Sequence, residues 1–482
     1  MAGIGFELKR LFARKGLILK FGANFYASTV VAGPALLAAA LLFGIAWLAY
    51  LAGAPRHDRD VLVVVVTYSI LFPLLLTSCL SFVLTRYIAD MLYEGQIQRV
   101  LPSMYGAISL CLVVGSLGWI IFLALSRLPF RYAVFSFTLF CEAVVVWVQM
   151  SYTNAAKDYR STFLGFGLGI LIGLLSGYVL VWLFHLEIVV SLLAAVCLAY
   201  GVMIVAFTIV LHNYFPIGTG TSLRFLEWIE KYPSLMLVGF FTIAGLFVHL
   251  MVMWAGPWGV RVIGLFYHAP PHDIPALLAM FTTLVTTIRF VTSVEVTFYP
   301  KYRLYFSLLN EGGSLSDLEK AKEEMAQVLK SELFYLAQIQ LAVEIVAVAL
   351  AATILPRLGM GFTPEMIGLF RVLCIAYGLY AIGNAMLLFL LYLSHYRDAL
   401  IASMILFVVN TLGTAITLRL PQYYYGFGFL AAALCLFITA WIELAGSINH
   451  LGYDIFCKQP LFVRPKNGRL SRLVRRLDGQ KG

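Results

Sequence analysis

Six ionisable side chains stand inside long apolar stretches of this sequence, where charges are rare. They are Glu142, Arg289, Glu295, Glu344, Arg371 and Glu443. A charge at the centre of a bilayer costs roughly 2.5–3.5 kcal/mol on insertion scales, so such groups are expected to be paired or to face water. Glu443 lies close to the end of its stretch, and we expect its carboxylate to reach the interface. The other five are candidates to line a path through a membrane.

Two interpretations of these charges remain open at the level of the sequence. In the first they form structural ion pairs between helices; in the second Glu142, Glu295 and Glu344 line a hydrated path. Four carboxylates against two arginines leave a formal excess of −2, which suits a cationic solute. On one helix Arg289 and Glu295 point about 120° apart and cannot pair. Arg289 and Glu344 lie at depths of about 12 and 18 Å on successive helices, where the two could meet across the hairpin.

The composition places these charges in an integral membrane protein. The chain has 482 residues, 61% apolar and 12% charged, with a mean hydropathy of +0.90. Soluble domains carry about a quarter charged residues, so a water-soluble enzyme is excluded. Twelve apolar runs are long enough to span a bilayer, at residues 24–51, 61–84, 102–125, 132–152, 163–183, 188–211, 233–254, 274–297, 332–355, 367–392, 399–418 and 425–448. The sequence therefore predicts an all-α protein with twelve transmembrane helices.

Lysine and arginine predict the orientation of these helices. With the N-terminus inside, most basic residues fall in the cytoplasmic segments, as the positive-inside rule requires. Both termini are then cytoplasmic. The net charge of +10 is explained by this topology and calls for no nucleic-acid partner.

Four parts are predicted along the chain. They are an amphipathic cytoplasmic helix over 1–23, six-helix lobes over 24–232 and 233–448, and a basic cytoplasmic tail over 449–482. The exits of the second and eighth spans share a pattern of Thr-Ser, then a basic residue and Tyr, then Glu-Gly. Copies six spans apart predict two bundles in a parallel pseudo-repeat. Both basic ends are predicted to contact anionic membrane lipid, with docking of a cytoplasmic partner as the alternative.

Two local features complete the pattern. Ser316 and Glu319 match a capping box, which predicts that a solvated helix starts there and leads into the ninth span. His249 is a mid-span histidine, for which a buried structural role is favoured. The alternative, the base of a membrane-embedded acyltransferase, lacks an acid–base group beside it in the sequence.

The opening residues carry a resemblance to a known family. Met-Ala-Gly-Ile-Gly-Phe-Glu-Leu-Lys-Arg-Leu at 1–11, Ala-Gly-Pro at 32–34 and twelve spans resemble the PelG family of Pel exopolysaccharide exporters. This family belongs to the superfamily of multidrug, oligosaccharidyl-lipid and polysaccharide exporters. The resemblance implies two six-helix bundles around a central cavity, in the bacterial inner membrane, and a role in the biofilm matrix. It also implies that Pro34 kinks the first span, as in related exporters.

The resemblance further implies a cargo and partners. The cargo would be a partly deacetylated, cationic amino-sugar polysaccharide. The partners would be a PelF-like cytoplasmic glycosyltransferase, a PelD-like cyclic di-GMP receptor and a PelE-like membrane subunit. Drug exporters of the wider superfamily that couple transport to protons or sodium use an acidic residue in the first helix. Residues 24–51 of this sequence contain none. Ion coupling through that helix is therefore not expected.

Motifs for energy use and catalysis are absent from the sequence. It contains no Walker A loop, no H-E-x-x-H and no G-x-S-x-G. Its seven cysteines contain no CxxC, so no metal site and no cofactor are expected. The leading hypothesis is a non-enzymatic polysaccharide exporter with no catalytic residues. The alternatives are a flippase for lipid-linked oligosaccharides, the acyltransferase and a scaffold for other subunits.

Overall fold

The computed structural model describes residues 38–156, 158–218, 222–457 and 468–477. Nearly all of them are helical. The helices are α1 Ala38–Leu51, α2 Arg56–Tyr93, α3 Val100–Ser126, α4 Phe130–Ala156, α5 Tyr159–Tyr178, α6 Ile188–Tyr214, α7 Leu226–Lys231, α8 Pro233–Trp254, α9 Pro270–Phe281, α10 Leu284–Thr292, α11 Tyr299–Glu311, α12 Leu315–Ile354, α13 Pro364–Tyr392, α14 Tyr396–Thr417, α15 Phe427–Cys457 and α16 Arg469–Leu477. Single π-helical turns, Val179–Leu183 and Ser293–Phe298, follow α5 and α10.

The predicted class of protein is confirmed. Within the described ranges, eleven helical segments are long and apolar enough to cross a membrane. The shorter apolar helix α1 covers the end of the first predicted span. The rest of that span, including Pro34, and the amphipathic helix predicted over 1–23 lie outside the described residues. The chain is an all-α, multi-pass membrane protein.

Several helices run well past the apolar runs that predicted them. Helix α2 extends over Arg56–Tyr93 and α12 over Leu315–Ile354. Hydropathy detects only the lipid-embedded part of a helix, whereas the helix itself continues until a cap or a breaker ends it. The capping box predicted at Ser316 is wrong by two residues, because the Ser314 hydroxyl accepts from the Asp317 N–H at 3.2 Å and donates to its carboxylate at 2.6 Å.

The described chain divides into two compact units. The N unit contains described residues 38–244, 259–268 and 468–477, and the C unit contains 245–258 and 269–457. The lobe boundaries given by the sequence stay a prediction.

A short β-hairpin joins α8 to α9 and was not predicted. Its strands, β1 Val260–Ile263 and β2 Phe266–His268, pair antiparallel in the N unit. The Tyr68 hydroxyl fixes the hairpin to α2, since it donates to the Tyr267 carbonyl at 3.0 Å and accepts from the Tyr267 N–H at 3.1 Å. At the turn Gly264 has a φ of +57°, and any Cβ there would collide with the Ser126 carbonyl of α3. Such strands are too short to give a clear alternating pattern.

The basic tail ends in a helix that is held by one carboxylate. Glu230 of α7 accepts hydrogen bonds from the first turn of α16: the N–H groups of Leu470 and Ser471 donate at 2.6 and 3.2 Å, and the Ser471 hydroxyl at 2.5 Å. An acid at a helix N-terminus satisfies amides that have no partner inside the helix. Helix α7 is itself tied to α2, because Trp228 donates to Asp90 at 2.7 Å. Glu230 therefore attaches the tail helix to the N unit.

We expect Glu230→Gln to release α16, because glutamine loses the charge and one of the two accepting oxygens. Hydrogen exchange of the Leu470 and Ser471 amides should become several-fold faster. The Ser471 hydroxyl, and then these amides, lower the pKa of Glu230. The attachment should thus be complete above the pKa of a free glutamate, about 4.3, and be lost as the pH falls through the lower pKa of the docked state. Glu227→Gln on α7 is the control; equal exchange in both variants would contradict the assignment.

Candidate functional site

Glu142 lies near the middle of α4, in the core of the N unit. Its half-buried side chain packs against α6, where it lies beside the Cys197 thiol and close to Gly201. One carboxylate oxygen, Oε2, is buried without a hydrogen bond among the described residues. No lysine or arginine of the described chain pairs with this carboxylate.

Buried polar contacts on both sides of Glu142 hold α4 in place. Toward the start of the helix, the hydroxyls of Ser136 and of Ser69 on α2 share a hydrogen bond of 2.8 Å. Toward its end, the Gln149 amide donates to the Thr208 hydroxyl of α6 at 2.9 Å. Hydrogen bonds between membrane helices fix their register. The acid is thus presented from a rigid three-helix core.

Glu344 occupies a comparable position in the C unit. It is 8% exposed on α12, and its Oε1 accepts from the Gln340 amide at 2.9 Å. The Gln340 carbonyl in turn accepts from the Thr286 hydroxyl of α10. Across from it, Gly378 of α13 supplies the space for the carboxylate, because a Cβ there would overlap the Glu344 carboxyl group. No cation of the described chain pairs with Glu344 either.

The predicted contact between Arg289 and Glu344 is wrong. The guanidinium of Arg289 pairs with Glu332 at 3.1 Å and lies over the Tyr335 ring at 4.8 Å. The apolar run 332–355 makes Glu332 the first residue of its span, at the membrane interface. Since α12 begins at Leu315, Glu332 lies well inside the helix and reaches the arginine first. One of the six intramembrane charges therefore belongs to a structural ion pair.

The remaining predicted site residues differ in their surroundings. Arg371 of α13 is exposed and has no ion-pair partner among the described residues. Glu295 lies in the π-helical turn Ser293–Phe298, a form of helix that often marks functional sites; its side chain is outside the described part, as is all of Pro34. Glu443 of α15 is partly exposed. Whether these residues line a substrate path stays a prediction.

One cluster in the C unit was missed in the sequence. His249 of α8, expected to lack an acid–base neighbour, lies beside His272 and Asp273 of α9 and Tyr377 of α13. The signal was present as Pro270-Pro271, because proline is preferred in the first turn of a helix. Because the helix starts at 270 rather than at 274, His272 and Asp273 both lie on α9.

The candidate site residues in the two units are carboxylates rather than metal ligands. Among the described residues, no group of three or more His, Cys, Asp or Glu side chains is arranged to hold a metal ion. Glu142 in the N unit and Glu344 in the C unit are instead carboxylates within apolar helices that have no cationic partner in the described chain. Such groups are suited to exchange protons or to bind a cation.

Comparison with known proteins gives the family. A family model described as "PelG: Putative exopolysaccharide Exporter (EPS-E)" matches residues 1–456. The chain belongs to the PelG family. A comparison with curated proteins gave no match.

Solved structures give the fold. A MATE transporter in the straight conformation has 13% identity and a TM-score of 0.62, with 94% of this chain and 97% of that chain covered. The Vibrio cholerae MATE transporter VcmN in the bent form has 14% identity and a TM-score of 0.59, with 90% and 97% covered. A Pyrococcus furiosus transporter of the MOP superfamily has 14% identity and a TM-score of 0.57, with 89% and 96% covered; its description names a binding pocket of reverse polarity. At this identity the likeness shows the fold alone.

The family is described as one of exopolysaccharide exporters, and the fold is shared with solved MATE transporters. Eleven apolar helices make the chain a multi-pass membrane protein, and the exporter family indicates the inner membrane.

We expect Gly378→Ala to displace the Glu344 carboxylate from α13, because the new Cβ occupies its space. Overpacking of this kind costs roughly 1–3 kcal/mol, which should lower the midpoint of thermal unfolding. Gly368→Ala, also on α13 but with open space around it, is the control and should leave the midpoint unchanged or slightly higher. Adding Glu344→Ala to Gly378→Ala should restore part of the loss; no recovery would show that the two residues do not compete.

A double-mutant cycle tests the ion pair. Arg289→Met and Glu332→Gln should be coupled by about 0.5–3 kcal/mol, as expected for contacting residues. Arg289→Met and Glu344→Gln should be nearly additive, since these side chains do not pair. The free energy of unfolding in denaturant gives the coupling energy of each cycle. A larger coupling energy for Arg289 with Glu344 than for Arg289 with Glu332 would contradict the ion pair seen in the structure.

Proposed function

We propose that the chain moves a cationic amino-sugar exopolysaccharide, Pel, across the bacterial inner membrane for the biofilm matrix. The single observation that carries the proposal is that each unit holds a membrane-embedded carboxylate, Glu142 or Glu344, with no cationic partner among the described residues. The family supports the class of cargo.

The energetics favour a functional role for both acids. A carboxylate in the bilayer core costs roughly 2.5–3.5 kcal/mol even on insertion scales. A structural ion pair offsets such a cost, as Arg289 and Glu332 do. Glu142 lies beside the Cys197 thiol and Glu344 accepts from the Gln340 amide, and neither group neutralises a charge. An amino sugar with a free amine is a cation that complements both.

A cytoplasmic glycosyltransferase of the PelF type is proposed to feed the growing polymer into the chain. PelD-like and PelE-like subunits are proposed to complete the assembly, with a cyclic di-GMP signal acting through the former. The support is the family assignment. No nucleotide-binding motif is required in this chain for that role.

A second candidate is a flippase that moves a lipid-linked oligosaccharide by alternating access. The observation that favours it is the fold, since the similar MATE structures include straight and bent conformations. Vesicles that contain the chain distinguish the two candidates. Export that requires added glycosyltransferase and sugar nucleotide supports the first, and export of an added lipid-linked oligosaccharide alone supports the second.

We expect Glu142→Gln and Glu344→Gln each to reduce secreted polymer several-fold, because the cargo loses an opposite charge while the side-chain volume is kept. Secreted amino sugar in the host measures the effect, and membrane levels of each variant show that insertion is normal. Glu323→Gln, an exposed position on α12, is the matched control. Unchanged secretion in both variants would contradict the proposal.

A further inference from the structure

The missed cluster in the C unit is a continuous chain of titratable groups. The Tyr377 hydroxyl lies 3.3 Å from His249 Nε2, and His249 Nδ1 lies 3.5 Å from His272 Nε2. His272 Nδ1 lies 3.6 Å from Asp273 Oδ1. The four side chains come from three helices, α8, α9 and α13, and each lies within 3.6 Å of the next.

The two ends of this chain differ in their access to water. Both histidines are 1% exposed, and the His249 ring stacks on Phe429 of α15 with 4.4 Å between ring centroids. The Asp273 side chain is 26% exposed. Its other oxygen is fixed by the Trp254 indole N–H at 3.0 Å and the Ala269 N–H at 2.9 Å. Asp273 Oδ1 and His272 Nδ1, which face each other, are both buried and make no hydrogen bond. The cluster therefore leads from a partly exposed aspartate side chain, through two unsatisfied polar atoms, to a sealed imidazole.

The surroundings of the cluster are mostly aromatic in the described part of the chain. Tyr380 of α13 is a further titratable group near Tyr377, and the Phe429 ring of α15 packs against His249 and Tyr377. Within the described residues, no lysine or arginine pairs with any of the four members. Asp273 is the counter-charge available to a protonated histidine, with its Oδ1 at 3.6 Å from His272 Nδ1.

We propose that Asp273, His272, His249 and Tyr377 form a relay that binds one proton in the C unit, and that this proton is the coupling ion of transport. Water delivers a proton to the Asp273 carboxylate, which passes it to His272 Nδ1. His272 Nε2 then gives its own proton to His249 Nδ1, so that His272 is again neutral. His249 becomes an imidazolium whose Nε2–H donates to the Tyr377 oxygen. One proton enters, one positive charge is gained, and Asp273 is again a carboxylate.

The relay is linked to the candidate cargo carboxylate by a single helix. Tyr377 and Gly378 are adjacent on α13, and Gly378 is the residue against which Glu344 lies. A charge that forms against Tyr377 acts on the turn of α13 that holds Glu344 in place. This coupling step rests on the proposed export function, whereas proton binding by the relay does not.

Tryptophan emission of the full-length chain in lipid nanodiscs tests the binding step, because the Trp254 indole donates to Asp273. We expect a pH-dependent step that is absent in Trp254→Phe, lost in His249→Gln and His272→Gln, and kept in His450→Gln, an exposed histidine. Tyr377→Phe should shift the step to lower pH, because the imidazolium loses its acceptor. If His249→Gln does not fold, this variant tests proton binding by the relay instead. A wild-type step in His249→Gln, or an unshifted step in Tyr377→Phe, would overturn the relay.

Secretion by the host tests the coupling step. Nigericin, which collapses the pH gradient, should reduce polymer secretion by the wild type, and His249→Gln should secrete little with or without it. Wild-type secretion by a folded His249→Gln variant would overturn the coupling. If a strain that lacks the chain secretes normally, the proposed export function fails, while the emission step still decides proton binding.

Discussion

A bilayer core offers no water to a polar side chain, so every such group must find its partner inside the protein. This constraint governs what is buried here. Most membrane-embedded polar groups satisfy it through helix–helix hydrogen bonds, such as Ser69 with Ser136 and Gln149 with Thr208. Arg289 and Glu332 satisfy it as an ion pair. Against that background, Glu142 and Glu344 stand out as acids held by neutral partners.

The same constraint explains why the acids are held so firmly. Glu142 lies between two polar contacts that fix α4, and Glu344 is fixed by Gln340 and by the absence of a side chain at Gly378. Their surroundings restrict movement without cancelling charge. Binding sites for cations need this combination, because a fixed carboxylate loses little freedom when a ligand arrives.

In the described chain, the C unit holds both the histidine cluster and the Glu344 site. Helix α13 contributes Tyr377 to the histidine cluster and Gly378 to the Glu344 site. Neighbouring residues on a helix point about 100° apart, so one turn serves two different sites. The two sites therefore share the backbone of that turn.

The sequence by itself determined the class of this protein, because hydropathy is a local property that each run of about 20 residues records independently. It also named Glu142 and Glu344, since a charge in an apolar run is visible without a structure. Tertiary structure alone decided the partners: Glu332 rather than Glu344 for Arg289, and His272 with Asp273 for His249. Pairing depends on where a helix starts and how two helices align along their lengths, and an error of four residues, as at Pro270, moves a side chain about 6 Å along the axis.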